Sequence, residues 1–218
     1  MSKVIYLVRH SVRFDYSNVI DYKTDQSYML KSEKIILSPK GEKRAEVLAT
    51  LEELDNLDAV YASNCVRTLS TAKYLLEKQD LDVTIDERFD ERRIGVFNSD
   101  SVPDWYERQY YDIDYKTVGG ESQRDVRKRF EEAFDEILNN KKFKRVAIFS
   151  HGYAITMFLM KYLELLDVKY NAYFKFKYKN KIIFDGVLEM PDLFKLEFNN
   201  KNELTNITHI DMEDIWKI

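Results

Sequence analysis

The sequence predicts an α/β fold: a three-layer α/β/α sandwich around a mostly parallel central sheet, with a β-rich C-terminal extension. Three observations carry this. The chain opens on a continuous apolar, β-rich run, Val4-Ile5-Tyr6-Leu7-Val8, which is what a strand covered on both faces looks like. Stretches of strand character then alternate with stretches of helical period, the order that produces parallel pairing through helical crossovers. Finally, 218 residues, of which 44% are hydrophobic and 33% charged, suffice for one well-buried domain.

The elements follow in order. Residues 11–36 are polar, tyrosine-rich and weakly periodic, and read as a long functional loop with a short helix. Ser38-Pro39-Lys40-Gly41 opens a helix bearing Ala45, Leu48, Ala49 and Leu51 near helical spacing. Leu57 to Ala62 is a second strand. Ser63 or Asn64 then caps a helix through about Glu77, with Leu69, Ala72, Leu75 and Leu76 facing inward. Val83 to Ile85 is a short strand, and residues 96–118 are aromatic and acidic without a clear period.

Ser122 to Leu138 is a strong helix, with Val126, Phe130, Ala133, Phe134 and Ile137 on one face. Arg145 to Ser150, RVAIFS, is the last core strand, and a helix follows from about Tyr153 to Leu165. In the tail, Tyr173 to Phe184 alternates aromatics with lysines at strand period, and Lys179-Asn180-Lys181 turns it into a hairpin. The lysines read as an edge guarding against sheet-to-sheet aggregation; the sharper alternative is a basic strip that meets an anionic substrate or partner. Residues 1–168 are thus expected to form a core domain, with 169–218 as a hairpin and tail packed on it.

Composition narrows the function. Glycine and proline number 6 and 3, too few for long flexible linkers. A net charge of -4 argues against nucleic-acid binding by electrostatics. The single cysteine, Cys65, excludes an intramolecular disulfide and a cysteine-built zinc site, and reads as a packing residue. The N-terminus lacks the apolar core and cleavage site of a signal peptide, and no stretch approaches the ~20 apolar residues of a membrane helix. A cytoplasmic protein without a membrane partner is expected; its oligomeric state is open.

Four places share one layout, a chargeable residue just after a predicted buried strand or in a loop at that end. They are Arg9-His10, Arg67, Glu91 and His151. In a parallel sheet the carboxyl ends of the strands gather at one edge, where ligands bind, so these residues are expected to meet in one pocket. Phosphoryl transfer is the chemistry that fits them. Arg9, Arg13 and Arg67, with His151, form a clamp whose forked donors match a phosphate dianion. A neutral imidazole can attack phosphorus, and a carboxylic acid at Glu91 can protonate the leaving oxygen and later take a proton from water. The chain has three histidines; His209, in the polar tail, reads as incidental.

At these residues the chain resembles the histidine phosphatase superfamily, in the branch that also holds cofactor-dependent phosphoglycerate mutases. The resemblance rests on LVRHSVR at 7–13, VYASNCVRTLSTA at 60–72, FDERRIG at 89–95, GGESQRDVRKRF at 119–130 and FSHG at 149–152, in order over about residues 3–165. It implies a phosphoglycerate mutase-like fold and His10 as a phosphorylated nucleophile. It further implies Arg9, Arg67 and His151 as phosphate ligands, Glu91 as proton donor, and no metal or cofactor. Arg13 stands where many members have threonine; in protein-tyrosine-phosphatase-like members and acid phosphatases an arginine here contacts phosphate. Ser11 replaces the usual glycine, which either strains a backbone that needs glycine or adds a hydrogen bond.

A phosphatase acting on a small phosphorylated metabolite or a phosphoprotein is therefore the expected function. A phosphomutase is the first alternative, but family mutases carry a long insertion where only about two dozen residues separate Gly95 from Gly120 here. The second is a catalytically weak module that binds phosphorylated ligands, which only Ser11 favours. Asp15, Tyr16, Trp105, Tyr106, Tyr110 and Tyr111 are candidates to line the pocket.

Overall fold

Alternate residues of the first strand face opposite cores. In the computed structural model, which describes residues 2–15, 32–95 and 104–218, β1 (Lys3–Arg9) sends Ile5 and Leu7 into one apolar cluster and Tyr6 and Val8 into another. All four side chains are fully buried, which explains the unbroken apolar run. Beside β1 lies β4 (Arg145–Ser150), then β2 (Ala59–Ala62) and β3 (Val83–Ile85), all parallel.

On one face, α1 (Pro39–Leu48) packs against α2 (Val66–Gln79). Ser38 caps α1, its hydroxyl accepting from the Gly41 amide, with Pro39 in the first turn as expected. The second helix is capped differently from the expectation: Cys65 is its N-cap, with no side-chain bond, and Ser63 is turned elsewhere. On the other face, α4 (Gln123–Asn139) starts with a capping box between Ser122 and Asp125 and stacks Phe130 on Phe158 of α5 (Gly152–Leu159). Helices on both faces of the sheet thereby make the three layers of the α/β/α sandwich.

Three further expectations need correction. The segment at 96–118 contains a helix, α3 (Trp105–Tyr111), whose buried Trp105, Tyr106, Gln109 and Tyr110 recur at helical spacing. Its period was hidden because aromatic residues also occupy its exposed side, at Tyr111. The helix after RVAIFS ends at Leu159, not near Leu165; Glu164–Lys169 is strand β5, drawn out by pairing Leu165 with Phe176 and Val168 with Phe174. RVAIFS is not the last strand of the central sheet. β8 (Asp192–Phe198) pairs antiparallel with β1, and β9 (Leu204–His209) pairs with β8, giving the order β3-β2-β4-β1-β8-β9. The charges that masked β8 are accommodated: Lys195 reaches Glu53 at 3.0 Å.

The hairpin is where the sequence placed it. β6 (Tyr173–Tyr178) and β7 (Lys181–Val187) form, with β5, a separate three-stranded antiparallel sheet. Its lysines are engaged locally, Lys175 with Asp185 and Lys177 with Glu164, each at 2.8 Å. Among the described residues no helix is long and apolar enough to cross a membrane. The stretch 16–31 of the expected long loop lies outside the described residues, as does Tyr16.

Candidate active site

Strand register brings the two key imidazoles together. Arg9 pairs with Ser150 across β1 and β4, and the His10 amide donates to the Ser150 carbonyl at 3.0 Å, so His10 and His151 emerge side by side. The Ser63 amide, just past β2, donates to Phe149 O at 3.0 Å and sets Ser63 beside them. Residues 63, 10 and 151 are thus neighbours because three parallel strands end at one level.

His10 is 5% exposed. Its Nδ1 lies 2.8 Å from the Ser11 carbonyl, which can only accept, so the ring proton sits on Nδ1 and Nε2 keeps its lone pair. Burial, reinforced by the guanidinium groups of Arg67 and Arg9, holds its pKa well below the usual histidine value. The ring is therefore neutral at neutral pH.

His151 is fixed in the opposite tautomer. Arg67 Nη2 donates to Nδ1 at 2.9 Å, so Nε2 carries the proton and donates to Ser63 Oγ at 2.7 Å. Burial and the same arginine depress its pKa too. Arg67 lies in the first turn of α2, almost wholly buried, with Nη1 donating to Ser32 O at 2.5 Å. Arg9 Nη1 donates to the carbonyls of Leu188 and Glu189. The Nε atoms of both arginines are buried without a hydrogen-bond partner among the described residues.

The carboxylate of Glu91 is seated at the start of α5. Oε1 accepts from the amides of Arg92 at 2.9 Å and Ala154 at 3.1 Å, and Oε2 from Tyr153 at 3.4 Å. Gly152 beside it admits the Arg9 guanidinium: a Cβ there would lie 3.3 Å from Arg9 Nε. Arg13 is exposed and pairs through its backbone with Leu37 at the mouth of the same cleft.

Arg9, His10, Arg13, Arg67 and Glu91 all line one cleft of about 350 Å³. His151 does not line it; its ring is fully buried behind, where it braces His10 and Arg67. Tyr106 and Tyr110 form part of the wall, whereas Trp105 is buried behind Tyr106 and Tyr111 is 61% exposed on the outer surface. Asp15 is not part of the wall among the described residues. One wall lies outside the expected set: Tyr170, Phe174, Leu188 and Met190 come from the C-terminal part of the chain. No short motif marks them, because their position depends on how the second sheet docks. The lysines of the hairpin do not line the cleft, so the basic strip has no place in it.

Ser11 is settled by its contacts. It is fully buried, its amide donates to Thr71 Oγ1 at 2.9 Å and its hydroxyl to Gly41 O at 2.8 Å. It is not among the positive-φ residues, so its backbone makes no demand for glycine. The close approach is met from the opposite side, where a Cβ on Gly41 would fall 1.9 Å from Val12 O. Cys65 is buried and unpaired, and burial pushes its thiol up to about 11, which keeps it protonated.

The family model described as the histidine phosphatase superfamily (branch 1) matches residues 5–183. Phosphoserine phosphatase 1 of Hydrogenobacter thermophilus is 28% identical over 148 residues, 64% of this chain and 69% of that protein. Among solved structures, a mycobacterial glucosyl-3-phosphoglycerate phosphatase superposes with a TM-score of 0.66 at 17% identity, covering 96% of this chain and 97% of the other. The phosphoglycerate mutase of Bacillus anthracis superposes with a TM-score of 0.63 at 16% identity, covering 98% and 95%. At such identities the structural likeness is one of fold, and a phosphatase and a mutase share it.

Proposed function

The chain belongs to the histidine phosphatase superfamily, and from that premise we propose that it hydrolyses phosphomonoesters through a phosphohistidine at His10. One observation carries the reading: a neutral imidazole with its Nε2 lone pair free stands among buried guanidinium groups, in a cleft that also holds Glu91. Arg9, Arg67 and Arg13 bind the phosphate, and His151 steadies Arg67.

His10 Nε2 attacks phosphorus, the ester P–O bond breaks, and Glu91 gives its proton to the departing oxygen. Arginine donors stabilise the charge on the equatorial oxygens as the bond order shifts. Water then attacks the phosphohistidine, Glu91 takes its proton, the P–N bond breaks, and phosphate leaves with His10 neutral again. Substrates are small phosphorylated metabolites or phosphoproteins.

Hydrolysis rather than mutase chemistry is supported by the length of the segment between Gly95 and Gly120, only about two dozen residues on a closed base. A Cβ on Gly95 would lie 2.5 Å from the Gly120 amide nitrogen, and Glu121 N donates to Arg93 O at 2.8 Å. The intervening chain is too short for the insertion that family mutases carry there.

The test has two arms. Mixing enzyme with a phosphomonoester and quenching in base should trap a base-stable, acid-labile phosphoryl group that maps to His10. Phosphate release from p-nitrophenyl phosphate should exceed any isomerisation of 3-phosphoglycerate. Isomerisation without net release, or a phosphoenzyme labelled elsewhere, overturns the reading.

A further inference from the structure

The turn from Leu188 to Asp192 is held by side chains at the carbonyls of its first four residues. Arg9 Nη1 donates to the carbonyls of Leu188 and Glu189, Arg44 Nη1 to Met190 O at 2.8 Å, and Trp216 Nε1 to Pro191 O at 2.7 Å. The amide side is held by Asp192, whose Oδ2 accepts from Glu189 N at 3.0 Å and whose Oδ1 accepts from Leu193 N at 2.9 Å. Asp192 is fully buried and stands opposite Arg9 in the β1–β8 register. Its outer partner is His209, with Nε2 2.6 Å from Asp192 Oδ1.

His209 is thus far from incidental. Its ring is wedged between Phe184 and Phe194 and stacks on Trp216 of the last helix, α6 (Glu213–Trp216). Packing on three sides allows it little freedom except the rotamer that meets Asp192. A chain of contacts therefore runs from the C-terminus to the cleft: Trp216 and His209 to Asp192, Asp192 to the turn, and the turn's carbonyls to the Arg9 guanidinium.

We infer that His209 and Asp192, with Trp216 behind them, are positioning residues that set the Arg9 guanidinium for phosphate by locking the carbonyls it leans on. A guanidinium held through one terminal nitrogen presents its remaining N–H groups in a fixed plane, and phosphate binding depends on that plane. Loosening the turn lets Arg9 swing without removing its charge. His209, Asp192 and Trp216 all lie beyond residue 183, where the family match ends. The inference rests on the preceding reading only in taking Arg9 as a phosphate ligand.

The test is a double-mutant cycle read by calorimetry with inorganic phosphate and by kcat/KM for p-nitrophenyl phosphate, with Tm measured for every variant. His209→Ala should weaken phosphate binding about tenfold, and His209→Gln, which keeps an N–H at the Nε2 position, should stay within about twofold of wild type. In an Arg9→Ala background, His209→Ala should cost nothing further, because the group it positions is gone. Trp216→Phe keeps the stacking but loses the bond to Pro191 O; it should give a smaller loss that Arg9→Ala also masks, and it serves if His209→Ala does not fold. Equal losses in both backgrounds, or wild-type binding in His209→Ala, overturn the inference. A wild-type protein that binds phosphate but hydrolyses no ester would sink the hydrolase reading and leave this one standing, whereas additive losses in a working hydrolase would sink this one alone.

Discussion

The rings of His10 and His151 meet edge to face, with centroids 5.1 Å apart and planes inclined by 63°. Two imidazoles at that distance cannot both be charged without strong repulsion, and the protein avoids the conflict by keeping both neutral and in opposite tautomers. Ser11 O dictates one tautomer and Arg67 the other. The proposed nucleophile thus owes its free Nε2 to a backbone carbonyl one residue away.

Replacing His10 by alanine should lower kcat for p-nitrophenyl phosphate by at least about 10³-fold, since the covalent route is lost. Phosphate affinity should persist, because Arg9, Arg13 and Arg67 are untouched. Steady-state turnover together with calorimetric phosphate titration checks both halves, and unchanged turnover would remove His10 from its role.

Glu91→Gln should separate substrates by leaving group. An alkyl phosphate, whose departing oxygen needs a proton, should slow by about 10²-fold or more, while p-nitrophenyl phosphate should lose much less in the phosphorylation step. Rapid-quench measurement of phosphoenzyme formation with the two substrates tests this. Equal losses would make Glu91 a support for the start of α5 through its bonds to Tyr153 N and Ala154 N.

Acid should destabilise the fold through the same two histidines. Their folded pKa values lie well below 6.5, so between those values and about 6.5 the unfolded chain binds protons the folded chain does not. Their contribution is complete above about 6.5 and is lost as the pH falls, at up to about 1.4 kcal/mol per pH unit for each ring. Asp90, pushed up to about 6 by burial, works in the opposite direction at lower pH. The measurement is therefore the difference in Tm between wild type and His10→Asn from pH 7.5 to 5.5; wild type should lose more. A variant that tracks wild type across that range would contradict the assignment.

At Ser11 and Gly41 the expectations are asymmetric. Ser11→Gly should leave kcat/KM within about threefold and cost about 1 kcal/mol, for the lost bond to Gly41 O and the added backbone freedom. Gly41→Ala should cost about 3 kcal/mol or more, because the new methyl meets the Val12 backbone. Chemical denaturation of both variants decides it, and a mild Gly41→Ala would mean the loop after β1 can move away from α1.

Much of this site was legible in one dimension. The run Val4 to Val8, the RVAIFS strand and the capped helix at Ser122 each carry a local signal strong enough to survive any packing, because apolar period and capping chemistry act over a few residues. Once those strands are parallel, the meeting of Arg9, His10, Arg67, Glu91 and His151 follows from geometry. Ser63 illustrates the limit. Its position after a strand was plain, but a serine there serves equally as a cap or as a partner for His151, and only the neighbouring strand's register chooses.

Residue order alone specifies the layout of the parallel strands and the identity of the polar groups at their ends. Long-range packing sets the rest: β8 and β9 extend the central sheet, Tyr170, Phe174 and Met190 close the cleft, and His209 reaches Asp192 behind Arg9. Those contacts join residues as far apart as Arg9 and Leu188, and such pairings depend on how whole sheets dock, which no local pattern encodes.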